Sequence, residues 1–231
     1  MKSVAKLATR VLSSPSSYAS FHKEDIRPLG GFAKRSFDIV GAIAALALLS
    51  PLLLMLAALV KLSDGGSVFF AHNRVGQNGR TFRCLKFRTM VPNGPEVLQA
   101  HFATNPQAQE EWNATRKLQN DPRVTRVGDV LRRLSLDELP QLLNIVRGEM
   151  SIVGPRPVVT DELDIYGTSA AFYLRSRPGL TGLWQISGRN DVSYNERIAF
   201  DRHYVENWSM VADMVIICKT VPAVITSRGC Y

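Results

Sequence analysis

An α+β fold is expected for this chain. It is a small, mainly helical domain with one short β-hairpin, anchored by a re-entrant helix–break–helix membrane segment with interfacial helices beside it. Three observations carry the expectation. Residues 39–60 run for 22 positions without a charge and are interrupted near the centre by Ser50-Pro51. Asn73-Arg-Val75 and residues 81–88 flank Gln77-Asn-Gly79, a sequence suited to a tight hairpin turn. Residues 127–134 and 135–147 have a helical period, with Leu136, Leu139, Leu143 and Val146 on one apolar stripe.

Length and charge bound the rest. The 231 residues suffice for one domain with its own core plus extra segments. A net charge of +8 suggests anionic partners: nucleic acid, lipid headgroups or phosphorylated substrates. Cys84, Cys218 and Cys230 are odd in number and widely spaced, which fits neither a zinc site nor a disulfide framework and favours a reducing compartment. The start is no secretory signal, because the apolar run begins too late and is too long.

Taken in order, residues 1–31 read as a flexible basic tail containing Ser13-Ser-Pro-Ser-Ser17. Between Lys2 and Arg35 there are seven Lys/Arg against two acids, an excess that marks the cytoplasmic side of a bilayer. Residues 32–62 form the membrane segment. As one helix, the uncharged run would be about 33 Å long, enough to cross a hydrocarbon core. Ser50-Pro51 and the basic flanks argue instead for a turn back: proline removes a backbone donor, and both flanks belong in the cytoplasm. Residues 63–231 then form the cytosolic-face domain. After Asp64-Gly-Gly66 comes the hairpin, with a strand-like start at 67–71. Residues 96–119 suit a solvated surface helix. Residues 196–226 are apolar but punctuated; a core helix and an interfacial helix with Trp208 near the headgroups both remain open.

The chemistry-bearing residues cluster in one stretch. Asp137 and Glu138 are adjacent at the expected start of a helix. Ser135-x-x-Glu138 matches a capping box, and a helix N-terminus would keep Asp137 ionised, so the structural and the reactive readings are compatible. Neighbouring helical side chains point about 100° apart, so the two carboxylates can divide nucleophile from acid/base or metal ligand. Arg156 lies between two prolines after Gly154, a rigid setting for a phosphate fork. Lys86 and Arg88, in the alternating hairpin strand, are candidates to face the site, and Arg132 precedes the dyad. The loop of residues 177–190, with Trp184, Gln185 and Arg189, is a candidate for nucleoside recognition. His22, His72, His101 and His203 have no ligand spacing, and P-loop, GxGxxG and GxSxG signatures are absent.

These motifs together resemble the bacterial sugar transferases, also called monotopic phosphoglycosyl transferases. They are Lys34-Arg-x-Phe-Asp38, the interrupted run, Lys86-Phe-Arg-Thr-Met90, Leu134-Ser-Leu-Asp-Glu-Leu-Pro-Gln-Leu142 with Asn144, Gly148-Glu-Met-Ser-x-Val-Gly-Pro-Arg-Pro157, and Arg177-Pro-Gly-Leu-Thr-Gly182 through Gly188-Arg-Asn190. The likeness covers about residues 32–228 and is nearest to small ExoY-type members of exopolysaccharide synthesis. It implies transfer of a sugar 1-phosphate from a UDP-sugar, with galactose the expected sugar, to polyprenyl (undecaprenyl) phosphate. UMP would leave, with Mg2+ as cofactor. It also implies Asp137 as nucleophile, Glu138 as second dyad member and metal ligand, and Arg156 on phosphate. The expected location is the cytosolic face of the bacterial inner membrane, against inner-membrane lipid, with a homodimer left open and no nucleic acid partner. A non-catalytic basic scaffold of polysaccharide synthesis, with the dyad merely capping a helix, is the competing reading.

Overall fold

The computed structural model describes residues 28–115, 118–187 and 193–225. The expected tail falls largely outside that range. A long apolar helix, α1 (Gly31–Asp64), leads into the antiparallel hairpin β1 (Phe69–Val75) and β2 (Thr81–Phe87). Helices α2 (Gly94–Thr104), α3 (Pro106–Thr115), α4 (Arg126–Arg133) and α5 (Gln141–Arg147) follow. Strand β3 (Ser151–Val153) pairs in parallel with β4 (Gly179–Thr181) across α6 (Thr160–Ile165) and α7 (Ala170–Arg175). Helices α8 (Leu183–Ile186), α9 (Tyr194–Glu206) and α10 (Met210–Ile225) complete the described chain.

The hairpin forms as its sequence predicts, with Phe69 opposite Phe87 and Val75 opposite Thr81. Asn78 and Gly79 both take positive φ, the conformation for which the Asn-Gly pair is suited. The single helix expected over 96–119 is instead two. Pro106 forces Asn105 out of helical dihedrals, so α2 stops and α3 restarts. The helix expected from 135 is also displaced: residues Leu136–Glu138 form a 3-10 turn, and α5 begins only after Pro140. Burial accordingly falls most completely on Leu142 and Ile145 rather than on Leu143 and Val146. The loop expected over 177–190 contains β4 and α8. Its strand is admitted by close backbone approach: a Cβ on Gly179 would lie 2.1 Å from the Gly154 nitrogen, so only glycine fits.

Helix α1 continues through Pro51, so the expected break is not a gap in the helix. Proline at 51 leaves the Ala47 carbonyl without its usual amide partner. The Ser50 hydroxyl donates to that same carbonyl at 2.8 Å, which repairs the defect locally. One face of α1 packs on the domain along most of its length. Ala42 joins Phe82, Leu142, Ile145 and Met150, and Leu56 and Val60 join Phe87 and Leu131. The other face leaves Val40, Ile43, Leu48, Leu54, Met55 and Leu59 exposed. Among the described residues, α1 is the one helix long and apolar enough to cross a membrane.

A buried polar network fastens the start of α1. Lys34 Nζ donates to Asp213 Oδ2 of α10 at 2.7 Å. Tyr204 Oη and Trp208 Nε1 donate to the same carboxylate, at 2.8 and 3.1 Å. Asp38 accepts from the Ser151 hydroxyl and the Ile152 amide, each at 3.0 Å, and so holds β3. Arg35 donates to the Ile145 and Val146 carbonyls at the C-terminal end of α5. Lys34 and Arg35 are therefore engaged by the domain rather than displayed to a membrane surface. Trp208 likewise packs beside Gly30 and bonds Asp213, which removes it from a headgroup role.

Asp213→Ala takes the acceptor from the Trp208 indole and leaves the buried Lys34 ammonium only Asp38, at 4.0 Å, while the Tyr204 hydroxyl keeps the Val153 carbonyl at 3.0 Å. It is expected to lower stability by roughly 3–5 kcal/mol, read as a drop in the denaturant midpoint of detergent-solubilised protein. An unchanged midpoint would show that the network does not hold α1.

Candidate functional site

The 3-10 turn that displaces the start of α5 sets the site. Ser135 takes a left-handed conformation (φ 54°) and makes no side-chain cap, so the capping box readable in the sequence does not form. The turn directs both carboxylates at one cation from β2. Lys86 Nζ lies 2.7 Å from Glu138 Oε1 and 3.7 Å from Asp137 Oδ2. Asp137 is buried. Burial pushes its carboxyl above the ordinary range; Lys86 pulls it down, Glu138 pushes it further up and Arg132 pulls it down again. The helix N-terminus expected to hold Asp137 ionised is replaced in that role by Lys86 and Arg132. Burial opposes the Lys86 ammonium, but Glu138 and Asp137 outweigh it and raise its pKa.

Neighbouring elements fix Lys86. Buried Asn144 of α5 accepts from the Leu85 amide at 3.0 Å and donates to the Arg83 carbonyl at 2.8 Å. A side chain thus completes the edge of β2 on either side of Cys84, one residue short of the lysine. Residues 84, 86 and 88 share the cleft face, as the period of a strand requires. Arg132 Nε donates to buried Thr89 at 2.9 Å. Gly128 makes that approach possible, since a Cβ there would meet the Thr89 carbonyl at 2.1 Å.

These groups open into a cleft of about 1200 Å³. Seven Arg/Lys line it (Arg74, Lys86, Arg88, Arg123, Arg132, Arg156 and Arg197) against two carboxylates, Asp137 and Glu138, so the wall is suited to anions. Arg156 projects from the Gly154-Pro-Arg-Pro157 loop after β3, its guanidinium 5.7 Å from the centroid of the Trp184 ring. Gln185 is on the same wall. Arg88 lines the cleft but is paired with Asp64 at the end of α1. Arg189 lies outside the described residues. Ser50 and Pro51 lie in α1, outside the cleft lining.

Sequence reasoning missed Asp201, Arg197 and the tyrosines behind the Arg156 loop. Asp201 accepts from Tyr166 Oη at 2.8 Å and from the Arg156 backbone amide. Burial drives its carboxyl up to about 7. Tyr173 Oη accepts from the Val158 amide and donates to the Val75 carbonyl, tying the loop to β1. One signal was available: Ser193-x-x-Glu196 is a capping box, which starts α9 and puts Arg197 and Asp201 one turn apart on one face.

A carboxylate pair bridged by lysine, with Asp137 buried and Glu138 half-buried, inside a cationic cleft defines a site for anionic substrates. The chain belongs to the bacterial sugar transferase family, whose profile matches residues 29–227. It is accordingly an enzyme, a transferase. It is 67% identical over 229 residues to the exopolysaccharide production protein ExoY of Rhizobium meliloti strain 1021, covering 98% of this chain and all of that one. It is 65% identical over 231 residues to the protein of the same name from Sinorhizobium fredii strain NGR234, covering both chains completely. Similarity extends to an undecaprenyl-phosphate galactose phosphotransferase of Salmonella typhimurium strain LT2, 50% identical over 200 residues, which are 87% of this chain and 42% of the relative.

The raised pKa of Asp137 sets a pH test. A folded carboxyl with a raised pKa holds its proton more tightly than the unfolded chain does. The folded state is therefore penalised above the folded pKa, and the penalty disappears below the unfolded value near 3.8. Asp137→Asn is expected to raise Tm at pH 7 and to lose that advantage as pH falls toward 4. A lower Tm for the variant at pH 7 would overturn the burial argument.

Proposed function

We propose that this protein transfers a sugar 1-phosphate from a UDP-sugar to undecaprenyl phosphate and releases UMP, as the first step of exopolysaccharide repeat-unit assembly. Galactose is the expected sugar. The observation that carries the reading is the buried Asp137 carboxylate, kept available by Lys86 and Arg132 at the floor of a cleft rich in cations. The relatives' names support the substrate class: exopolysaccharide production for the full-length relatives, and galactose phosphate with undecaprenyl phosphate for the Salmonella protein.

The chemistry divides into two displacements. An Asp137 carboxylate oxygen attacks the sugar-bearing phosphorus, the bond to the bridging oxygen breaks, and UMP leaves with that electron pair. A phosphate oxygen of the lipid then attacks the phosphosugar–aspartyl phosphorus, which forms the polyprenyl diphosphate sugar and restores Asp137. The covalent intermediate lets a soluble donor and a membrane-bound acceptor use one site in turn. Lys86, Arg132 and Arg156 offset charge on the phosphoryl oxygens. A cleft of about 1200 Å³ leaves room for a nucleotide sugar.

Mg2+ fits the donor set. Among the described residues only Oε1 of Glu138 is engaged, by Lys86, and no three His, Cys, Asp or Glu side chains gather to cage an ion. Mg2+ characteristically uses one or two carboxylates and completes its shell with substrate phosphate and water. Glu138 would hold it, and the ion would supply charge neutralisation on the diphosphate.

The membrane arrangement proposed is monotopic, on the cytosolic face of the inner membrane. Support comes from α1, whose start is bonded to α10 and β3 and whose end packs on β2 and α4. Both ends are thus attached to one domain, while the outward face is apolar.

Enzyme mixed with UDP-galactose but no lipid is expected to release UMP and to carry a phosphosugar adduct at Asp137, and Asp137→Asn should do neither. Rapid-quench mass spectrometry reads the adduct. Turnover by Asp137→Asn, or kinetics demanding a ternary complex, would favour direct transfer. Single cysteines placed before residue 31 and after residue 64, with Cys84, Cys218 and Cys230 replaced, should label with the same sidedness in intact cells. Opposite sidedness would establish a true span.

A further inference from the structure

Arg197 is costly where it stands unless a ligand meets it. It occupies the first turn of α9, just inside the Ser193–Glu196 capping box, where the helix dipole opposes a cation. Its guanidinium carbon lies 5.0 Å from the centroid of the Trp184 ring, and that of Arg156 lies 5.7 Å from the same centroid. Two guanidinium groups therefore share one indole. Burial and the neighbouring Arg156 both push the Arg197 pKa down. Its Nε is buried and makes no hydrogen bond.

Nearby acids do not resolve this. Glu162, the acid acting on Arg197, is taken up by Arg74 at 3.3 Å and by the Val159 amide. Asp201, beside Arg156, is occupied by Tyr166 and a backbone amide. Among the described residues neither Arg156 nor Arg197 has a carboxylate within 4.0 Å. Contact with the Trp184 ring offsets part of the cost but leaves the buried Arg197 Nε–H without an acceptor. A phosphate placed between the two guanidiniums would satisfy both charge and donors.

The same wall distinguishes which phosphate. Trp184 Nε1 and Gln185 Oε1 are also buried without partners. An isoprenoid tail offers no hydrogen bonds and would leave them so, whereas a nucleoside carries donors and acceptors on both base and ribose. Elsewhere the cleft is flanked by the exposed apolar side chains of Phe70, directly across the hairpin from Lys86, and Leu134, just before the dyad turn. Those surfaces suit a prenyl chain.

We infer that Arg197 and Arg156, both set over Trp184, form the binding site for the nucleotide phosphate of the donor, the one that departs with the nucleoside, and that Trp184 and Gln185 meet the base or ribose. This rests on the donor being a nucleotide sugar. It adds Arg197 as a binding residue and separates a nucleotide end of the cleft from the lysine–carboxylate end where phosphorus is transferred.

The test measures binding apart from turnover. Asp137→Asn protein in detergent is titrated calorimetrically with UMP and, separately, with farnesyl phosphate. Adding Arg197→Gln is expected to weaken UMP binding about tenfold or more and to leave farnesyl phosphate binding unchanged. Arg197→Lys should recover part of the loss. In the otherwise native enzyme, Arg197→Gln should raise KM for UDP-galactose by a similar factor, leave KM for undecaprenyl phosphate unchanged, and leave Tm equal or higher. A merely structural arginine would instead lower Tm and weaken both ligands together. Equal UMP affinity with and without Arg197, or no UMP binding by the parent, overturns the inference. Loss confined to farnesyl phosphate assigns the pair to the lipid phosphate and also overturns it. Arg197-dependent UMP binding by an enzyme that releases no UMP from any UDP-sugar would sink the proposed reaction and leave this site standing.

Discussion

Two adjacent carboxylates repel each other in a half-dry cleft unless a cation is held against both. That constraint organises the centre of this molecule. Lys86 meets Glu138 at 2.7 Å and Asp137 at 3.7 Å, and it can do so only if β2 and the 3-10 turn stay in register. Asn144 secures the first through two bonds to the β2 backbone. The left-handed Ser135 secures the second by breaking the helix that the local sequence would otherwise start. A regular capped helix would send the two side chains about 100° apart. The interruption allows them to converge on one ammonium.

The apolar helix is part of the same construction. Through Asp38 it holds the amide of Ile152, and β3 then runs directly into the Gly154-Pro-Arg-Pro157 loop. Through Arg35 it closes the end of α5, the helix that carries Asn144. The seating of α1 and the placement of Arg156 and Lys86 therefore share supports. Ser50 has a related role: it bonds the Ala47 carbonyl that Pro51 leaves free, and so supports α1 where proline removes a backbone donor.

Several groups around the cleft are arranged at a cost to the folded chain alone. Asp137 is buried, Arg197 is a cation in the first turn of a helix, and Trp184, Gln185 and Arg197 carry buried atoms without partners. Such local conflicts with stability are expected where binding and chemistry take place. Asp201 and Tyr173 work in the opposite direction, anchoring the Arg156 loop from behind with satisfied hydrogen bonds.

Local patterns were legible in the chain: the Asn-Gly hairpin, the 22-residue uncharged run, the alternation that sets Lys86 and Arg88 on one face, and the motifs that mark the family. Each depends on near neighbours, on a turn's dihedrals or on the period of a strand, and such terms are written in a few consecutive residues. The continuity of α1 through Pro51, the failure of Ser135 to cap and the pairing of β3 with β4 were not legible. Nor were the burial of Lys34 against Asp213, 179 residues away, or the meeting of Arg197 with Arg156 over Trp184. These outcomes depend on what lies across a contact. A proline is tolerated when one helix face is clamped to a domain, and a capping box yields when its carboxylate gains a half-buried ammonium, because packing and charge pairing outweigh local preferences of about a kilocalorie.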